Sequence, residues 1–156
     1  MGSAFSRQDK DHYIVRPGER RDYDLLLRNI GEDGRTLGHI FHLWSMTGDG
    51  DTYRESQVEN EVEILGRNFF SLFYLAQALE NAKPVIPNDA KVEITVITDQ
   101  LEDVTGSEFL RPEKALLLGP CKVIPQEYAY LTWRLVDVEL PAGDDTAKYR
   151  LVRQIM

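Results

Sequence analysis

Strand-like and helix-like runs alternate four times along this chain, and that alternation narrows the available folds more than any single motif does. Tyr13-Ile14-Val15-Arg16 reads as a short strand stopped by Pro17-Gly18. Asp22 to Ile30 then sets Tyr23, Leu26, Leu27 and Ile30 at helical spacing ahead of Gly31. His39 to Trp44 gives a second strand, nearly continuous in bulk, of the kind usually covered on both faces. From about Arg54 to Asn81 there is no proline, and Val62, Leu65, Phe69, Leu72, Phe73, Ala76 and Leu79 recur every three or four residues as a long helix. Lys91 to Thr98, written KVEITVIT, is β-branched and alternating, a third strand. A helix begins near Pro112, where a missing N–H costs nothing. Pro120 is expected to kink or interrupt it and Pro125 to end it soon afterwards. Leu131 to Val138 forms a fourth strand, and Asp144 or Asp145 caps a last helix holding Tyr149, Leu151, Val152 and Ile155. Strands separated by helices require crossover connections. The expected class is therefore α/β, a mostly parallel sheet with helices on both faces.

The 156 residues fit one domain spanning 1–156, with no internal repeat or low-complexity tract. No apolar run approaches the ~20 residues needed to cross a bilayer, and Met1-Gly2-Ser3 opens onto charged residues rather than a signal peptide. A single cysteine, Cys121, makes neither an internal disulfide nor a thiolate cage, which agrees with a reducing, cytoplasmic location. It lies in an apolar segment that should raise its pKa and make it a poor nucleophile. The net charge of -8 opposes a nucleic-acid backbone.

Gly48-Asp49-Gly50 follows a strand and precedes a helix, where a dinucleotide fingerprint belongs. The third glycine position is Tyr53, and Asp49 and Asp51 put negative charge where a pyrophosphate would sit. Glu55, Glu59, Glu61 and Glu63 extend the acidic face, with Arg54 and Arg67 as local counterweights. As a calcium loop the segment fails at its twelfth position, Asn60. His39 and His42 are three apart on a strand and point to opposite faces, so they do not converge on a metal. His12 has no sequence-adjacent partner to make it a general base. None of Tyr13, Tyr23, Tyr53, Tyr74, Tyr128, Tyr130 or Tyr149 has a lysine four residues on, although reductases that place the lysine elsewhere keep that reading open. There is no G-x-S-x-G elbow, P-loop lysine or H-E-x-x-H. No residue is assigned to catalysis, cofactor binding or metal binding.

Several segments together resemble the N-terminal, structural subdomain of ketoreductases from type I modular polyketide synthases, most closely the hybrid peptide–polyketide type. They are YIVRPGERRDYDLLL (Tyr13–Leu27), HIFHLWSM (His39–Met46), NFFSLFYLAQAL (Asn68–Leu79), KVEITVITDQLEDVTGSE (Lys91–Glu108), KALLLGPCKVIPQEY (Lys114–Tyr128) and LTWRLVDVEL (Leu131–Leu140). Their order and spacing carry the likeness, and GPCKVIPQEY is its most characteristic stretch. The resemblance implies a truncated Rossmann-like subdomain without a cofactor site, supporting a separate catalytic subdomain that binds NADPH. It further implies that the chain is an excised or separated half, stopping at Met156 before a return strand. Expected partners are that catalytic subdomain and neighbouring synthase domains, with a homodimer as another way to cover exposed apolar surface. Phe69-Phe70 and Leu116-Leu117-Leu118 place large side chains at adjacent positions, so part of this surface is expected at an interface. Two other readings stand beside it: a self-sufficient NAD(P)-binding reductase using the Gly48-Asp49-Gly50 turn, and a docking module for an enoylreductase, methyltransferase or carrier domain.

Overall fold

The computed structural model describes residues 4–47, 61–82, 85–86, 90–106, 109–141 and 145–155. In chain order its elements are β1 (Ser6–Arg7), β2 (Tyr13–Ile14), α1 (Arg20–Glu32), β3 (His39–Ser45), α2 (Glu61–Leu65), a π-helical turn (Gly66–Phe70) and α3 (Ser71–Asn81). There follow β4 (Val92–Thr98), a 3-10 helix (Pro112–Leu117), α4 (Leu118–Glu127), β5 (Leu131–Asp137) and α5 (Asp145–Ile155).

The run richest in β-branched residues becomes the central strand. β4 pairs in parallel with β3 on one side and β5 on the other, in the order β3-β4-β5. In β4 only Glu93 is exposed, as befits a strand with a neighbour on each side. Val92, Ile94 and Val96 point to one face, where they meet Leu72, Leu75, Ala76 and Leu79 of α3, Leu117 and Ile124, and Tyr23, Leu27 and Ile30 of α1 in one buried cluster. Each of the valine, leucine and isoleucine side chains contributes about 1.5–3 kcal/mol by leaving water. The other sheet face carries Thr95, Ile97 and Arg134, and the Arg134 guanidinium donates to the Ile155 carbonyl at the end of α5. The fold is a truncated Rossmann-like α/β arrangement with helices flanking a three-stranded parallel sheet.

Four local expectations change in the structure. The Tyr13–Arg16 segment does not join the parallel sheet. Its first two residues pair antiparallel with Ser6–Arg7, a ribbon tied down by ion pairs from Arg7 to Asp33 and from Arg35 to Asp11, both at 2.7 Å. β3 is covered on one face only: Ile40, His42 and Trp44 turn inward, while His39, Phe41 and Leu43 stay exposed because β3 is an edge strand.

The long helix is interrupted by its π turn, and its expected first part, Arg54 to Asn60, lies outside the described residues. Gly66 is needed there, since an added Cβ would stand 3.3 Å from the Gly18 backbone nitrogen. The extra residue in the turn rotates the apolar stripe, so that Leu72, Leu75, Ala76 and Leu79 face the core and Phe73 and Val62 do not. The helix that begins at Pro112 is interrupted rather than kinked, and the break falls two residues before Pro120. The segment from Pro112 is a 3-10 helix, α4 starts afresh at Leu118, and Pro120 falls in its first turn. Pro125 lies inside α4, which ends two residues later.

Candidate functional site

In open parallel sheets ligands bind beyond the carboxyl ends of the strands, so those ends are the place to look for a site. Here they are bound to one another. Thr47, just past β3, donates its N–H to Asp99 Oδ1 at 3.1 Å and its hydroxyl to Asp99 Oδ2 at 3.1 Å. Lys114, from the 3-10 helix, donates to Thr47 Oγ1 at 2.9 Å, to the Asp99 carbonyl at 2.8 Å, and to the Asp99 carboxylate as an ion pair. Lys114 is 1% exposed and Asp99 3%. Burial pulls the Lys114 ammonium below the ordinary lysine range even with Asp99 in contact.

Beside this pair, Gln100 takes a left-handed backbone, φ 55°. Arg111 holds it by donating its N–H to the Gln100 carbonyl at 2.9 Å and its Nε to Gln100 Oε1 at 3.0 Å. Asp137, ending β5, accepts from the Leu101 and Glu102 amides at 3.1 and 2.8 Å. The lysine that would attract an anion is already neutralised, and a phosphate placed there would meet the Asp99 carboxylate. Chemically the arrangement is a brace joining the ends of all three strands.

The Gly48-Asp49-Gly50 turn, with Asp51, Tyr53, Arg54, Glu55, Glu59 and Asn60, lies outside the described residues. Glu61 and Glu63 are exposed on α2. His39 and His42 occupy opposite faces of β3 as their spacing requires. His39 Nε2 lies 3.0 Å from Thr95 Oγ1, and its ring stacks on Phe41 at 4.2 Å. His12 does have a partner, against expectation. The turn between β1 and β2 brings Asp9 within 2.7 Å of its Nδ1, fully at the surface. Cys121 packs against the core, and burial pushes its thiol up to about 12. Tyr23 is buried, donates to the Pro17 carbonyl at 3.0 Å, and has its hydroxyl pKa raised by that burial. Among the described residues no group of three or more His, Cys, Asp or Glu is placed to hold a metal.

One pairing was invisible in the sequence. His42 Nε2 lies 2.8 Å from Ser71 Oγ, a distance that suits a nucleophile and its base. The Ser71 hydroxyl instead donates to the Arg67 carbonyl at 2.7 Å and is wholly buried. His42 Nδ1 meets no hydrogen-bond partner among the described residues. Burial holds the His42 imidazole down to about 4, hence neutral. The pair fastens β3 to α3 and offers no route for a substrate. Only the separation of 29 residues between strand and helix could have hinted at it, and periodicity does not fix which partners meet.

The chain closely follows one region of a solved multidomain structure comprising the adenylation, ketoreductase and pseudo Asub domains of a keto acid-selecting NRPS module. The TM-score is 0.76 at 21% identity, a likeness of fold. It covers 99% of this chain and 12% of that one, so this chain spans about an eighth of that protein's length. No curated protein matches. The family model described as beta-ketoacyl synthase-like, N-terminal, matches residues 1–155, nearly the full length, and the chain therefore belongs to that family.

Proposed function

We propose that this chain is a non-catalytic structural subdomain of a modular synthase, and that its role is to stabilise a ketoreductase half which itself binds NADPH and carries the catalytic residues. The observation that carries the reading is the brace of Lys114, Asp99 and Thr47 across the strand ends, which fills the crest where this fold otherwise receives a dinucleotide. Membership in a synthase-related family supports the multienzyme setting, and the fold shared with part of an NRPS module that includes a ketoreductase supports the partner. The finer assignment, to the ketoreductase region of a type I polyketide synthase, rests on the distributed segments from Tyr13 to Leu140. Exposed apolar residues fit a subunit that docks: of the Leu116–Leu118 run, Leu117 is in the core but Leu118 is 44% exposed. Cytoplasmic location belongs to the same proposal. Among the described residues no helix is long and apolar enough to cross a membrane.

Complementation tests this role. The catalytic ketoreductase half of the same synthase is expressed with and without this chain supplied separately. The expected result is that soluble yield and NADPH-dependent reduction of a keto thioester rise together when the chain is present. A catalytic half that is equally soluble and equally active alone removes the role.

A further inference from the structure

The loop from Gln100 to Arg111 joins β4 to the 3-10 helix and is fastened at its base. The Arg111 amide donates to the Gln100 carbonyl at 2.9 Å and the Arg111 side chain to Gln100 Oε1 at 3.0 Å, while Asp137 accepts the Leu101 and Glu102 amides. These contacts hold Gln100 at φ 55°, a left-handed conformation that a residue with a Cβ takes only when its surroundings impose it. Beyond this base the loop presents apolar side chains to water: Val104 is 81% exposed, Phe109 60% and Leu110 39%. One such residue on a surface is ordinary. Three within seven positions of a pinned loop form a contact patch that is fixed at its base before anything binds.

What the patch meets follows from the space at the loop's base and from charge. Loops past the ends of parallel strands commonly close over a ligand. Here Lys114 and Asp99 fill that space, so the loop has no chamber of its own to cover and its tip suits the surface of another macromolecule. Lys114 and Arg111, the described cations at this end, are turned inward, 1% and 8% exposed. Glu102, Asp103 and Glu139 stay at the surface. An apolar tip flanked by carboxylates fits an apolar hollow with a cationic rim. A second copy is a poor match. Its hollow between α3 and α4 has Glu127 beside Phe73 and Val123, and its hollow between α1 and α3 has Asp24 and Glu32 against Arg28. Like charges at both places oppose self-docking.

We propose that Val104, Phe109 and Leu110 are the anchor by which this chain docks, and that they seat in an apolar, cation-rimmed hollow on the ketoreductase half. The proposal rests on the reading of this chain as a structural subdomain and adds the surface through which it acts.

The test uses the complete synthase and the complementation pair. Val104 is replaced by the photoreactive p-benzoylphenylalanine in the complete synthase, and cross-linked peptides are mapped by mass spectrometry. They should join position 104 to the ketoreductase half. Cross-links to a second copy of this chain, or to another domain, overturn the proposal. Hydroxyl-radical footprinting needs no substitution and so guards against a variant that fails to fold. Phe109 and Leu110 should be labelled at least about fivefold more slowly in the synthase than in the chain alone, and equal labelling overturns the proposal. In complementation, Glu102→Lys with Glu139→Lys reverses the charge beside the tip and should raise the chain concentration that gives half of the full rescue at least about tenfold. An unchanged concentration removes the cationic rim, and the proposal with it. Failure of complementation by the unsubstituted chain would remove the subdomain reading itself, whereas successful complementation with an unprotected loop would remove this proposal only.

Discussion

Replacing Lys114 with methionine tests whether the brace across the strand ends is a closed, dry structure. Methionine keeps most of the apolar stem and deletes the ammonium, so three donated contacts disappear: to Thr47 Oγ1, to the Asp99 carbonyl and to the Asp99 carboxylate. The Asp99 carboxylate keeps the Thr47 amide and hydroxyl but loses the Lys114 ammonium while only 3% exposed. Removing one member of a buried ion pair costs about 3–5 kcal/mol, against a total stability of about 5–15 kcal/mol for a domain. Urea denaturation followed by the fluorescence of Trp44 and Trp133 reads the loss as an earlier midpoint with an unchanged slope. The double variant Lys114→Met with Asp99→Asn removes the buried negative charge as well and should recover part of the loss, giving a coupling of at least about 2 kcal/mol. A cost below about 1 kcal/mol for Lys114→Met, the range of an exposed pair, would mean that water reaches the ammonium. The argument that the crest is filled would then fail.

Two further outcomes follow from buried groups. His42 has its pKa held at about 4, below an unfolded value near 6.5, so between those limits the unfolded chain binds the extra proton and stability is lost as pH falls. The loss at pH 5 relative to pH 7 is about 2 kcal/mol from this residue, and His42→Leu should flatten that part of the pH–stability curve measured by urea melts. Cys121, with its thiol raised to about 12, should react with iodoacetamide at pH 8 at least about tenfold more slowly in the native protein than in urea.

How much of this was legible in the sequence depended on how local each determinant is. Within KVEITVIT the run Val92–Thr98 was legible as a strand because β-branched bulk with one charged interruption, Glu93, is a property of seven consecutive residues. The opposed orientation of His39 and His42 followed from strand geometry alone. Boundaries set by distant neighbours were less accessible. The π turn exists where Gly66 meets Gly18, 48 positions earlier, and the interruption expected at Pro120 falls at Leu118, where the 3-10 helix gives way to an α-helix and puts Pro120 in a first turn. Tyr13–Ile14 carried a correct strand pattern, but pairing partner is not written in a pattern, and Ser6–Arg7 claimed it. At the candidate site the brace was not readable. Lys114, Asp99 and Thr47 are 15 and 67 residues apart from Lys114, and a lysine in a short helix ordinarily faces water.

The account depends on a sheet whose strand ends receive no dinucleotide, and isothermal calorimetry of NADPH into this chain addresses that claim directly. The expected result is no saturable heat up to roughly millimolar cofactor, the weak end of the affinity scale. Saturable binding at about micromolar concentration, retained in the absence of any catalytic half, would contradict it and return the Gly48-Asp49-Gly50 turn to consideration as a cofactor site.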